Sequence, residues 1–517
     1  MTMSSDAVVW SGPAVDDGEL PMTVTDTGWV DTGSFRPNRG QFPIRVERHL
    51  NSFVGDHLPG VTTVTNATRY YALHGLAARI ANDEELDEPA TIDLLRRSEA
   101  LLAYVTHLHA AEPGHKEHTP SPHGIDAILR SARTPSGVNL REASRVYSDA
   151  KWAFANPYRG SELTLKILAT GSFAPGEWYD HAAASSVLRP LVDVARSASE
   201  VTDVEAGQLS PACLCTTSVS EDGAWLGHLL SGDPGKPRDN PTVGGLLWQF
   251  GRLVAVASTV GEVSDADSLA DLVMFEPKLR THPKLAGMVA PPRWQGALLR
   301  KESVYARRLI WRDINRMVGG TRPVSELVDA FADRLPAGSV AEFRSALPDR
   351  LDKAGRPRAA ERELGHLSEL EQWLARVVLG AGRLADLSGH ELRGFRGPQE
   401  QTRGVWEEMS PGWVAEVLDR YATRSIRDLG HHLANVLIHR SQRVALWKSR
   451  YDPRNQVLRF PARLHVRDGI AIKIFEETAP VPATRIPQYL SLARQAGMFI
   501  SDANGRLSIG PNGGRLA

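Results

Sequence analysis

The chain lacks several features that define whole classes of protein. Two cysteines occur among 517 residues, Cys213 and Cys215, and a bridge across one residue would close almost no loop. This excludes a disulfide framework and suits a reducing cytoplasm. No run approaches the roughly 18 to 20 apolar residues of a membrane span. Lys and Arg are absent before Arg36, which excludes the basic start of a secretory signal. We therefore expect a cytoplasmic protein with no membrane partner.

Neither sign of charge is in excess over the whole chain. Lys and Arg number 60 and Asp and Glu number 61, which excludes a protein coated in positive charge for non-specific binding of nucleic acid. Any surface that binds nucleic acid must therefore be local. The length favours two to four domains, because single hydrophobic cores stop growing well below this size.

Complete catalytic motifs are also missing. The sequence has no Gly-rich phosphate loop ending in Lys-Ser/Thr, no Gly-x-Gly-x-x-Gly turn, no Gly-x-Ser-x-Gly elbow and no His-Glu-x-x-His helix. His282 and Lys284 begin like a phospholipase-D motif, yet Val289 stands where its Asp belongs. Asp271 and Glu276 have the residue types of a metal-dependent nuclease, but Pro277 suits a central strand poorly. A non-catalytic protein is favoured, and a metal-dependent nuclease is the alternative.

Five histidines lie close together in sequence, at His107, His109, His115, His118 and His123. Imidazoles are common zinc ligands, but the first two point about 200° apart on a helix and the rest fall in Pro-Gly-rich sequence. No cysteine lies near them in sequence. We therefore predict no metal ligand and no cofactor.

Apolar residues recur every three to four positions over most of the chain, which predicts a mainly α protein, a multi-helical body with small β elements. Residues 111–124 are rich in Pro, Gly and His, which interrupts this pattern and predicts an exposed linker. These patterns divide the chain into six predicted regions. They are a loose leader (1–26), an N-terminal helical domain (27–110), the linker (111–124), a middle helical region (125–290), a second helical region (291–420), and a C-terminal region of basic helix, short strands and winged-helix-like end (421–517).

The C-terminal region combines a long helix at 423–447 with alternating strand patterns between 457 and 475. At the end of the chain a helix stops at Gly497 and Asn504-Gly505 turns between two strands, an order typical of a winged helix. Its recognition helix would carry one Arg, Arg494, where major-groove readers usually present several polar side chains. This favours a docking or structural role, with a winged-helix transcriptional regulator as an alternative.

Positive charge is concentrated in two stretches. Residues 293–316 hold seven bases and two acids, and residues 424–473 hold eleven bases and three acids. Such a patch releases counterions when it binds DNA or RNA, although acidic groups of the protein could also neutralise it. The candidate nucleic-acid-binding residues in these stretches are Arg308, Arg312, Arg316, Arg440, Arg443, Lys448, Arg450, Arg459 and Arg463.

Arg69 is a further candidate, because a cation at the start of a helix gains nothing from the helix dipole. We expect it to meet an internal carboxylate such as Asp31 or an external phosphate. Trp29 is expected to be a buried anchor for the leader.

Short motifs near the start of the chain resemble a known family. They are Gly28-Trp29-Val30-Asp31, the turn Leu58-Pro59-Gly60 leading into Thr-rich sequence, and Arg69-Tyr70-Tyr71. Weaker similarities lie at 158–162 and 443–469. Together they resemble an uncharacterised bacterial family whose members show a Gly-Trp-Ile/Val-Asp box and a Pro-Gly-x-Thr-Thr segment before Ala-Arg-Tyr-Tyr/Phe. This chain departs from that pattern at Thr68 and in its longer spacer.

The resemblance implies association with phage-defence loci, where such proteins accompany helicases, ATPases or nucleases. It supplies no catalytic residues. Combined with the basic stretches, it predicts a non-catalytic component of a bacterial anti-phage system that binds DNA or RNA and partner proteins.

Overall fold

A computed structural model describes most of the chain. The described residues are 35–38 (backbone only), 41–113, 115, 120–233, 242–397, 409–453 and 457–517. The leader, the Gly28–Asp31 box with Trp29, and His118 lie outside them.

The protein is mainly α-helical, as the apolar periodicity predicts. The helices are α1 (Arg48–His57), α2 (Arg69–Asp83), α3 (Glu88–Ala110), α4 (Ile125–Ser131), α5 (Leu140–Val146), α6 (Ala155–Thr164), α7 (His181–Ser197), α8 (Asp203–Gln208), α9 (Glu221–Ser231), α10 (Val243–Val260), α11 (Ala266–Phe275), α12 (Pro277–Arg280), α13 (Ala290–Met317), α14 (Val324–Ala332), α15 (Val340–Ala346), α16 (Glu369–Asp386), α17 (Gly389–Arg396), α18 (Pro411–Arg420), α19 (Ile426–Lys448) and α20 (Ile486–Gln495).

Small sheets join distant parts of the chain. The strands are β1 (Phe35–Asn38), β2 (Arg133–Thr134), β3 (Gly137–Asn139), β4 (Glu200–Thr202), β5 (Thr321–Pro323), β6 (Arg450–Asp452), β7 (Val457–Pro461), β8 (Leu464–Arg467), β9 (Ile470–Lys473), β10 (Phe499–Ser501) and β11 (Leu507–Ile509). Their orders are β1-β7-β6, β2-β3-β4, β5-β9-β8 and β10-β11. Strand β1 runs parallel to β7, and the other pairs are antiparallel.

Side-chain caps set where several helices begin. Ser425 and Asp428 form a reciprocal capping box, so the helix expected from residue 423 starts at Ile426. Ser368 and Glu371 do the same for α16. Helix α16 therefore starts at Glu369, after a separate short turn at Ala360–Arg362. A glycine with positive φ, Gly497, follows α20 and lets the chain leave the helix, as expected from sequence.

The apolar side chains form two main cores. The first holds residues from α1 to α11, the first half of α13, and the C-terminal elements α20, β10 and β11. The second holds the rest of α13 with α14, α16, α18, α19 and strands β8 and β9. Helix α13 runs through both, with Trp294 buried in the first core and Trp311 in the second. This long helix therefore links the two halves of the molecule.

The C-terminal segment packs on the first core, far from its neighbours in sequence. Tyr489 of α20 meets Phe250 of α10 with ring centroids 4.9 Å apart. Thr68 donates its hydroxyl to the Leu492 carbonyl at 3.0 Å, and its amide to Gln495 at 2.9 Å. The packing thus groups 484–517 with the first core, whereas the sequence-based ranges group it with 421–483.

By length and composition, α10 is the one described helix that could cross a membrane, and 56% of it is buried inside the protein. Core helices pass the same test. Phe250 and Leu253 of α10 are side chains of the first core.

The packing of α20 against the first core predicts that this helix contributes to the stability of the core and is not an appended module. Leu490→Ala should destabilise the protein by about 2–5 kcal/mol, because a buried side chain is replaced by a cavity. Leu490 is 2% exposed, whereas Ile500 of the adjacent strand is 49% exposed and provides the control Ile500→Ala. Thermal unfolding measures both variants. Equal melting temperatures for the two would contradict this packing.

Candidate functional site

The end of α19 leads directly into a small sheet that carries a row of arginine positions. Arg450 of β6 stands opposite Arg459 of β7, and Arg459 stands opposite Arg36 of β1. Residues directly opposite on neighbouring strands share one face of a sheet, so the backbone places these three positions in one row. The Arg450 and Arg459 side chains are exposed. The like charges of Arg450 and Arg459 repel each other, and Asp452 offsets part of that repulsion by pairing with Arg459 at 2.7 Å.

The last turn of α19, one residue before β6, carries an aromatic and a basic side chain. Trp447 is 60% exposed, and the Arg45 guanidinium lies 4.3 Å from the centre of its ring. Lys448 donates to the carbonyls of Gln41 at 2.5 Å and Phe42 at 3.1 Å. Burial, followed by the nearby Arg45 charge, lowers the pKa of Lys448 to about 8. We call the surface formed by Arg45, Trp447, Lys448, Arg450 and Arg459 the α19–sheet surface.

Three of the sequence-predicted bases are buried. Arg308 pairs with Glu47 at 2.8 Å, and both side chains are almost completely buried. Arg440 donates to the Ile44 carbonyl at 2.5 Å and is 1% exposed. Arg69 is also fully buried. Their expected contacts with nucleic acid do not fit this placement, because a phosphate has no access to them and protein groups already hold their charge.

The remaining predicted bases divide among three places. Lys448, Arg450 and Arg459 share the α19–sheet surface, and Arg443 is half-buried one turn earlier in α19. Others lie near Glu476 and Glu477. Arg316 is 3.3 Å from Glu476, and Arg463 is 3.8 Å from Glu477. Arg312 is half-buried, with its guanidinium 5.4 Å from the centre of the Trp373 ring.

Arg69 is held by a cage of oxygen atoms at the start of α2. Its Nε lies 2.7 Å from Asp222 Oδ2, and its Nη2 lies 2.9 Å from Asp222 Oδ1, a bidentate pair. Nη2 also donates to Ser220 Oγ at 2.6 Å, and Nη1 donates to Thr216 Oγ1 at 2.8 Å and to the carbonyls of Pro211 and Cys213. The guanidinium therefore fixes the whole turn 211–222 against α2.

The partner expected for Arg69 was an internal carboxylate such as Asp31 or an external phosphate. The structure supplies an internal carboxylate, Asp222, and Asp31 lies outside the described residues. Because Asp222 lies 153 residues further along the chain, no local pattern could have identified it.

A second buried polar group surrounds His74, and it was missed from sequence. His74 Nδ1 lies 2.5 Å from Glu162 Oε1, and Nε2 lies 2.9 Å from Glu99 Oε1, with all three side chains fully buried. Burial alone would lower the pKa of His74, but Glu162 and Glu99 outweigh it and raise the pKa to about 10. Burial raises the pKa of Glu162. The two carboxylates hold opposite sides of one imidazolium, which makes the group a bridge between α2, α3 and α6.

The residues of the possible nuclease motif have structural partners. Glu276 caps α12 by accepting from the Lys278 amide at 3.0 Å. Asp271 pairs with Arg362. These carboxylates stabilise a helix start and an ion pair, so the structure adds no support to the nuclease alternative.

One histidine has a cysteine beside it despite their separation in sequence. Cys215 Sγ lies 3.3 Å from His109 Nδ1 across 106 residues of chain. No cysteine lies near these histidines in sequence, which favoured the prediction of no metal ligand, but the fold brings Cys215 to His109.

No family model, curated protein or solved structure matches the chain. Its sites are therefore interpreted from their own geometry.

The Arg69 cage predicts that the pair is essential for stability. Asp222→Asn should cost about 3–5 kcal/mol, because it leaves a buried guanidinium without its counter-charge. The matched control is Asp83→Asn, which removes the carboxylate from the exposed pair Arg79–Asp83 and should leave the melting temperature nearly unchanged. The double variant Arg69→Met/Asp222→Leu should regain part of the loss, since it buries no charge. A melting temperature for Asp222→Asn that equals the control's would contradict the cage.

The buried His74 predicts a specific dependence of stability on pH. Its pKa in the folded protein, about 10, exceeds the ordinary value of 6.5, so the folded state holds this proton more tightly than the unfolded chain. The resulting stability is complete below pH 6.5 and is lost as the pH rises towards 10, with a limiting slope of about 1.4 kcal/mol per pH unit.

Denaturant unfolding of the wild type and His74→Gln from pH 6 to 10 measures this difference. The decrease of the unfolding free energy with rising pH that His74 causes should disappear in His74→Gln. It should persist in His181→Gln, which changes an exposed histidine. Parallel profiles for the wild type and His74→Gln would show that His74 does not bind an extra proton.

Proposed function

We propose that the protein binds single-stranded nucleic acid through the α19–sheet surface and does not catalyse a reaction. The observation that carries this proposal is the row of arginine positions on β1, β7 and β6, which the chain enters from an exposed tryptophan three residues before Arg450. Neighbouring strands lie about 4.8 Å apart, so the exposed Arg450 and Arg459 side chains are close enough to contact one stretch of phosphate backbone. A chain that is neutral overall confines its phosphate contacts to such local patches.

The aromatic neighbour favours single strands over duplexes. Every base has a flat face that stacks on an aromatic ring, whereas duplex bases are already stacked on one another. Trp447 presents such a ring, and Arg45 lies against it. Exposed aromatic rings beside a basic row are the usual combination of sequence-tolerant single-strand binders. The surface does not favour DNA over RNA, and the test below uses both.

The winged-helix alternative has weaker support. Helix α20 and the hairpin β10–β11 have the expected order, but Gln495 of the would-be recognition helix bonds to Asn66 and Thr68. Arg494 donates to the Ser264 carbonyl at 3.0 Å. Side chains already used inside the protein are poorly suited to reading a major groove, so a docking or structural role is the better proposal for this end.

The biological setting that we propose is a bacterial anti-phage system, in the cytoplasm. This part rests on the resemblance of the N-terminal motifs and not on the geometry. Within such a system the protein would hold a nucleic acid for a partner helicase, ATPase or nuclease.

Binding to fluorescent single-stranded DNA and RNA, measured by anisotropy over a range of salt concentrations, tests the surface. Arg450→Ala/Arg459→Ala should weaken binding and make the log–log salt slope shallower by about 1.4, since each phosphate contact contributes about 0.7 on single strands. Trp447→Ala should cost about 1–3 kcal/mol with an unchanged slope, because stacking releases no counterions.

The matched control is Arg145→Ala/Arg189→Ala, which removes two exposed arginines from distant helices and should bind like the wild type. The isolated protein should neither cleave the oligonucleotide nor hydrolyse ATP. Salt-independent binding, or equal losses in the control and the Arg450/Arg459 variant, would refute the proposed surface. Cleavage with Mg²⁺ that Glu276→Ala abolishes would instead favour the nuclease alternative.

A further inference from the structure

Both cysteines of the chain lie in one turn that packs against the end of α3. Cys213 opens the turn Leu214–Val219, and its Sγ accepts from the Cys215 amide at 3.5 Å. Their sulfur atoms lie 3.0 Å apart and form no disulfide. The Leu214 amide donates to Thr106 Oγ1 at 3.4 Å, which holds the turn beside the last turns of α3. The fold therefore presents two sulfur donors to this helix end.

Two imidazoles lie beside Cys215. His109, in the last turn of α3, places Nδ1 3.3 Å from Cys215 Sγ. After the helix the chain turns back, as the His115 amide donates to the Glu112 carbonyl at 3.1 Å. The rings of His109 and His115 lie 4.9 Å apart, edge to face. The ligating atoms of His109, His115 and Cys215 all lie within 4.8 Å of one another, the one such group in the part of the chain that is described.

We propose that His109, His115, Cys213 and Cys215 bind one Zn²⁺ ion as a structural site. Two thiolates and two imidazoles are a donor set that zinc prefers, in tetrahedral geometry. Bond lengths of about 2.0–2.3 Å require ligand atoms about 3.3–3.8 Å apart. The spacing among His109, His115 and Cys215 lies within roughly 1 Å of that range, and small side-chain rotations would close the difference. Cys213 Sγ lies 3.0 Å from Cys215 Sγ and would supply the fourth donor.

The surroundings suit a bound dication. Glu112 Oε2 lies 3.9 Å from His109 Nε2, the nitrogen that faces away from Cys215, and a carboxylate there orients an imidazole ligand and strengthens it. Two thiolates neutralise Zn²⁺, which lowers the cost of placing the ion beside the fully buried Cys213. Arg69 also donates to the Cys213 carbonyl, so the cage that holds turn 211–222 orients the sulfur donors.

Four protein ligands leave no open coordination position, so the ion has a structural role and not a catalytic one. Bound zinc would join α3, the first residues after it and the turn 211–222 to the first core. This site is independent of the α19–sheet surface, and the failure of one proposal does not affect the other.

Metal analysis of the full-length protein, purified with a reductant, tests the site. We expect one zinc per chain in the wild type. Cys215→Ser and His109→Ala should each weaken zinc affinity by more than about 100-fold, because loss of a second-shell partner alone costs about 10- to 100-fold. His107→Ala is the matched control, since it removes a half-buried histidine from the same helix end and should retain zinc.

Substitution with Co²⁺ provides a readout of the ligands themselves. The wild type should show the intense thiolate-to-cobalt absorption of a tetrahedral site, weakened in Cys213→Ser and in Cys215→Ser. Circular dichroism confirms that each variant is folded, and the wild-type spectrum decides the question even if a variant unfolds. A wild type that binds neither zinc nor cobalt, or a folded Cys215→Ser that keeps full zinc affinity, would overturn the proposal.

Discussion

The buried pair between Arg69 and Asp222 is the constraint on which the first core depends. A guanidinium away from water is costly unless its donors are satisfied, and this one is bound by a carboxylate, two hydroxyls and two carbonyls from one turn. Asp222 lies in the first turn of α9, so the same pair fixes the start of that helix against α2. The turn 211–222, which Arg69 holds against α2, carries both cysteines. The geometry of the candidate zinc site is thus a consequence of satisfying one buried charge.

The same physical rule separates the structural bases from those able to bind a ligand. Arg308 and Arg383 are buried, and each has an acidic partner, Glu47 and Glu361. In such a pair the attraction between the two charges offsets much of the desolvation cost of burying them. Neither arginine can leave its carboxylate to bind a phosphate, because the carboxylate would then be buried without a counter-charge. Arg450 and Arg459 are exposed and stand opposite each other, and the one acidic partner described for them, Asp452, pairs with Arg459 at the surface. An anionic ligand would relieve the remaining repulsion, which is why we propose nucleic-acid binding at the α19–sheet surface.

Sequence patterns predicted the local features well. Apolar periodicity identified α19, and Gly497 and Asn504-Gly505 marked the final helix and hairpin. Contacts between distant residues were beyond such patterns, because periodicity defines a helix face but not what covers it. Arg308, Arg312 and Arg316 share a stripe, yet one is buried against Glu47, one faces Trp373 and one is exposed. Likewise, nothing local joins His109 to Cys215, or β1 to β7.

Hydrogen–deuterium exchange on the wild type and Asp222→Asn tests most directly whether the Arg69 cage organises this region. If it does, the variant loses protection over 211–222 and the first turn of α2, while α19 and strands β6 and β7 exchange as in the wild type. Unchanged protection over 211–222, in a variant that has lost the carboxylate, would contradict the central role given to this buried pair.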